Sequence, residues 1–99
     1  MTLIGCNVMC TISLKEMMIN RTYPEAGAAL YAEFCLHRES ADKIIVDLDG
    51  VETLPSMFLN TSIGAYIDNF GKESLKEKIS FAKITRSQAE RLRDYLARY

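Results

Sequence analysis

Apolar positions follow two rhythms along the chain. From Ile44 to Leu48 they run almost unbroken, as Ile-Ile-Val-Asp-Leu. A β-branched run that does not alternate with polar residues predicts a strand covered on both faces, as in a parallel or mixed sheet. From Leu59 onward the rhythm changes. Leu59, Ile63, Tyr66, Ile67 and Phe70 fall on one face of a helix, and Asn60, Asp68 and Asn69 stay off it. Between the two lies a polar turn. Asp49 can bond its own turn backbone, and Gly50 tolerates positive φ. Val51 and Leu54 return towards the core, and Pro55 fixes the backbone before Ser56. Gly71 stands where a glycine commonly ends a helix. The stretch 43–71 therefore reads as strand, loop, helix. Its loop is at the carboxyl end of the strand, where open α/β sheets place their sites.

The flanks repeat the alternation. Thr2–Gly5 is short and apolar, an edge-strand candidate. Val8–Leu14 predicts a strand with Cys10, Ile12 and Leu14 on one face. Lys15–Tyr23 reads as a connection. Pro24 is placed for the first turn of a helix ending near His37, with Ala26, Leu30, Phe34 and His37 along one stripe. Glu25 and Arg38 at its two ends suit the helix dipole. Lys72–Lys78 is charged and helix-prone. Ile79–Ile84 predicts another strand. Thr85 or Ser87 can cap a last helix whose apolar stripe is Ala89, Leu92, Leu96 and Tyr99. Strand and helix in alternation imply parallel pairs joined by right-handed crossovers.

Composition narrows the class without naming a function. A chain of 99 residues, 48% hydrophobic and 25% charged, makes one domain over 1–99. A net charge of −1 gives no global pull towards nucleic acid or an anionic membrane. No stretch approaches the roughly 20 apolar residues of a membrane span, and the first residues lack the features of a signal peptide. Three cysteines in such a chain point to reduced thiols and a cytoplasmic setting.

Four constellations carry candidate chemistry. The run Ile-Ile-Val-Asp47-Leu-Asp49-Gly resembles the first motif of haloacid-dehalogenase-type phosphatases, in which two strand-end carboxylates hold Mg²⁺ and attack phosphorus. Thr85 after a later strand resembles the second motif. The segment after Ile84 nevertheless reads as a helix, where such enzymes need an acidic pair. The plainer reading of Asp47 and Asp49 is a strand end with a turn aspartate. Cys6, Cys10, Cys35 and His37 can be drawn as a zinc site, but C-x3-C and C-x-H are not structural-zinc spacings. Arg86, Arg91, Arg93 and Arg98 on the last helix make a basic face that either meets phosphates or is simply solvated. Ser56 reads first as a helix N-cap, worth about 1 kcal/mol over alanine. Its second reading is a phosphorylation switch, since a phosphate adds about −1.5 to −2 charges.

The strand ending Ile44–Leu48, the turn hydrophobics Val51 and Leu54, and Ser56 at the helix start together resemble STAS-type domains, the fold of anti-sigma-factor antagonists. The resemblance is closer to an uncharacterised bacterial STAS-like family, through Asp47-Leu48-x-x-Val51, Ser56 followed by bulky apolar residues, Asn69-Phe70-Gly71, and Arg21. It spans about residues 11–85. Pro55 replaces the aspartate that precedes the serine in anti-sigma antagonists. Met57 and Phe58 stand where those proteins carry small residues.

The resemblance implies a STAS-like α/β domain with a mixed sheet of about four strands and helices packed against it. It implies a non-catalytic regulatory module with no cofactor. The module would bind a protein partner, a kinase-like ATPase of the anti-sigma type, through Asp49, Thr53, Ser56, Met57 and Phe58. The rival readings are a magnesium-dependent phosphatase using Asp47 and Asp49, and nucleic-acid binding through the basic last helix.

Overall fold

The apolar run becomes the middle of the sheet. A computed structural model describes residues 9–99. In chain order they form β1 (Met9–Ser13), α1 (Leu14–Met18), α2 (Tyr23–His37), β2 (Lys43–Asp47), α3 (Ser56–Leu59), a π-helical segment (Asn60–Gly64), α4 (Ala65–Phe70), α5 (Lys72–Lys78), β3 (Ile79–Ala82) and α6 (Arg86–Leu96). The strands lie in the order β1-β2-β3, with β2 parallel to both neighbours. Ile12, Val46 and Phe81 sit side by side in register, as do Thr11, Ile45 and Ser80.

Two expectations change here. Among the described residues there are three strands, not about four, and all their pairings are parallel. The edge-strand candidate Thr2–Gly5 lies outside the described residues. The central strand is also not equally covered on both faces. Ile44 and Val46 are wholly buried, whereas Lys43, Ile45 and Asp47 are half-buried. The reason is the topology. Both crossovers advance in the same direction across the sheet, and right-handed connections of that kind put their helices on one face.

Those helices pack on each other as well as on the sheet. α2 opens with a reciprocal cap. The Glu25 backbone N–H donates to Thr22 Oγ1 at 3.3 Å, and the Thr22 N–H donates to the Glu25 carboxylate at 2.8 Å. Pro24 lies in the first turn, as its ring requires. Ala26, Gly27, Leu30 and Phe34 form the buried face of α2. Phe34 meets Tyr66 edge-on at 5.7 Å between ring centroids, and Arg38 lies 4.0 Å over the Phe70 ring.

Of the predicted helix stripe, Leu59, Ile63 and Tyr66 are buried and Ile67 and Phe70 half-buried, and Gly71 ends α4 with φ 92°. Lys15–Tyr23 is not only a connection. Leu14 leaves the strand and starts α1, and the Ser13 hydroxyl accepts the Glu16 N–H at 3.4 Å. No helix among the described residues is long and apolar enough to cross a membrane.

Candidate functional site: the loop after the central strand

β2 leaves the sheet through a closed turn. The Val51 N–H donates to the Leu48 carbonyl at 3.0 Å, and Gly50 takes φ 81° inside the turn. That positive φ is the conformation glycine adopts without steric penalty. Asp47 Oδ1 accepts the Asp49 N–H at 2.9 Å, so this carboxylate helps to hold the turn.

Beyond the turn the side chains sort by face. Val51 and Leu54 are buried, as the pattern predicted, and Asp49, Glu52 and Thr53 are exposed. Met57 and Phe58 separate sharply, at 60% and 2% exposure. Phe58 therefore belongs to the core, and Met57 is the one of the pair at the surface. Neighbours on a helix point about 100° apart, which lets one turn send Phe58 inward and Met57 outward.

Ser56 is not the cap that its residue type suggests. The N-cap of α3 is Pro55, without a side-chain cap bond, and the Phe58 and Leu59 N–H groups reach the Pro55 carbonyl at 3.1 and 3.0 Å. Ser56 is already helical and exposed. Its hydroxyl accepts instead from Arg91 Nη2 at 2.9 Å.

Arg91 and Gln88 on α6 hold the whole loop. Gln88 Nε2 donates to the Val51 carbonyl at 2.6 Å, and Arg91 Nε donates to the Leu54 carbonyl at 2.7 Å. Gln88 also completes a reciprocal cap with Thr85, at 3.0 and 3.1 Å. A pocket of about 340 Å³ opens here, lined by Thr53, Pro55, Ser87 and Arg91 among others. Lys15, Met18 and Tyr23 share a second pocket, of about 330 Å³, with Gly50–Thr53.

The basic last helix looks different once folded. Arg91 is bonded to its own chain, and Arg86 pairs with Glu90 at 3.5 Å. Arg86 and Arg93 share one face, while Arg91 and Arg98 share another turned away by roughly 140°. The four arginines thus do not form one surface. The buried stripe is Gln88, Leu92 and Tyr95 rather than Ala89, Leu92, Leu96 and Tyr99. The polar ends of Gln88 and Tyr95 find partners inside, Tyr95 through Asn60 Oδ1 at 2.8 Å. Burial, followed by the neighbouring Tyr99 hydroxyl, pushes the Tyr95 phenol far above its ordinary range. Leu96, half-buried, instead lines a cleft of about 580 Å³ between α5 and α6.

Of the zinc candidates, Cys6 lies outside the described residues. Cys10 and Cys35 are free thiols. Burial, and then the charge of Glu33, push the Cys10 thiol up. His37 lies 3.5 Å from Glu33. Among the described residues no three His, Cys, Asp or Glu side chains are grouped to hold a metal.

The fold thus brings Thr53, Ser56 and Met57 to one exposed loop and helix start, with Asp49 in the turn before them. It adds Arg91, Gln88, Lys15 and Tyr23, which the sequence reading did not place there. Gln88 had a local signal, Thr-x-x-Gln, the pattern of a reciprocal cap. Arg91 had none, because its partner is 35 residues away in sequence.

No curated protein and no solved structure matches the chain. A family model does, described as a STAS-like domain of unknown function (DUF4325), over residues 26–89. That span is more than half of the chain and contains β2, the loop, Ser56 and the helix it opens, and by it the chain belongs to the family of STAS-like domains.

Proposed function

We propose that this domain is a cytoplasmic regulatory module that acts by binding a protein rather than by catalysis. Its contact surface is the exposed part of the loop and helix start, namely Asp49, Thr53, Ser56 and Met57. One observation carries the reading. The Ser56 hydroxyl is exposed beside an exposed Met57 and is not consumed by capping its helix. An apolar side chain beside a modifiable hydroxyl suits a contact that a charge can break.

The partner class suggested by the resemblance to anti-sigma-factor antagonists is a kinase-like ATPase. In that reaction the γ-phosphoryl group of ATP passes to Ser56 Oγ, the hydroxyl proton goes to solvent, and ADP leaves. The product carries about −1.5 to −2 charges in the middle of the contact surface and repels the partner.

The test uses three baits: the unmodified domain, Ser56→Ala, and the domain with phosphoserine installed at position 56. Proteins captured from native lysate are identified by mass spectrometry. A partner held by the first two baits and lost from the third is the expected result. Identical captures from all three would remove Ser56 from the contact surface.

A further inference from the structure

We infer that Arg91 is the receptor for a phosphate carried by Ser56, so that modification latches α6 onto the loop. The inference rests on the proposal that Ser56 is modified. It concerns what the modified side chain does within this chain.

One guanidinium reaches both the loop backbone and the Ser56 hydroxyl. Arg91 points its Nε–H at the Leu54 carbonyl, 2.7 Å away, and one Nη2–H at Ser56 Oγ, 2.9 Å away. The first bond fixes the fork against the backbone. The second brings its outer edge to the atom that would be esterified. A guanidinium has five N–H donors in a rigid plane, so three remain. A phosphoryl group on Oγ places its oxygens next to these donors without any need to break the bond to Leu54. Arginine and phosphate form short, charge-assisted and often bidentate hydrogen bonds, stronger than the neutral acceptor bond present now.

The surroundings keep that fork in place. The Gln88 side chain, one turn earlier on α6, is buried and tied to the Val51 carbonyl at 2.6 Å. The reciprocal cap between Thr85 and Gln88 fixes the start of the helix. Among the described residues, Glu52 is the only acidic one lining the pocket that contains Arg91, and no second basic one lines it. The receptor is therefore a single arginine. One positive charge opposite a group of nearly two negative charges leaves net negative charge at the surface. Modification both tightens α6 on the loop and presents an anion outward.

The test uses the full chain with phosphoserine installed chemically or by codon reassignment, in wild-type, Arg91→Gln and Arg91→Lys backgrounds. Thermal unfolding and the ³¹P titration of the phosphate are the readouts. In the wild-type background the phosphate is expected to raise Tm by about 4–8 °C, the shift that 1 kcal/mol produces in a domain of this size. Its second ionisation should fall by about half a unit or more below the usual value near 6. In Arg91→Gln both effects should vanish, and Arg91→Lys should restore only part of the ³¹P shift. Equal effects in all backgrounds would overturn the assignment, as would a phosphate that leaves Tm and the titration unchanged in wild type. Because the phosphate is installed directly, these outcomes do not depend on whether a kinase partner exists. The capture experiment above fails or succeeds separately.

Discussion

Gly27 is where two helices meet backbone to side chain. A Cβ at that position would run into the Thr61 hydroxyl and lie 2.5 Å from the Phe58 carbonyl. Neither neighbour is free to retreat, because Thr61 Oγ1 donates to the Met57 and Phe58 carbonyls at 3.1 and 3.2 Å. Gly27→Ala is therefore expected to destabilise the domain by about 1–3 kcal/mol, although alanine is the better helix former by about 1 kcal/mol. Urea denaturation decides between the two effects, and a variant as stable as wild type would mean that α2 and α3 are not in such close contact. At this scale the sequence was only partly readable. The apolar type of Met57 and Phe58 was plain, but which of them faces the core depends on helix phase. The partner of Ser56 depends on a residue on another helix. The Asp47–Asp49 turn differs, because its bond is local and turn chemistry was legible there, although the carboxylate that accepts is Asp47 and the pattern had given that part to Asp49.

At the scale of elements, starts and stops were the most legible features. Pro24, Glu25 and Thr85 marked helix beginnings, and the structure places α2 and α6 there. α1 was missed although Ser13 and Glu16 stand at capping distance. Leu14 fits the alternation of the preceding strand as well as the first turn of a helix, and the strand pattern masked the helix. The cap of α2 also makes its first turn sensitive to acid. The Glu25 carboxyl is held below its ordinary range, first by the Thr22 backbone N–H, then by the Thr22 hydroxyl and the charge of Arg21. A folded value below the unfolded one means that this stabilisation is present above the unfolded value and is lost as pH falls through the folded value. Acidification should loosen the start of α2 before the rest of the helix. Amide shifts of Thr22 and Ala26 followed against pH should report a titration that Glu25→Gln removes. An identical acid response in that variant would assign the titration to another group.

The whole molecule joins what the sequence keeps apart. The alternation of strand and helix implied parallel pairing, and the order β1-β2-β3 follows from two crossovers in one direction. The placing of α6 was not legible, because its contacts with the loop run through side-chain bonds across 35 and 37 residues. Arg91 also stands just past residues 26–89, the span matched by the family model.

The π-helical segment Asn60–Gly64 lies between the two ends of this assembly, with Ser62 wholly buried and donating to the Phe58 carbonyl at 2.8 Å. It works as an angular offset, like a keyway cut between two lengths of one shaft. Downstream, the shaft is indexed to the aromatic cluster of Phe34, Tyr66 and Phe70. Upstream, it is indexed to α2 and α6 through Phe58 and Ser56. Removing one residue, such as Thr61, would restore regular helical bonding and turn one length against the other by about 100°. Circular dichroism should then show the helix content kept, while Tm falls and an installed phosphoserine 56 no longer stabilises. A deletion that changed neither Tm nor that response would show that the two lengths are not indexed to each other.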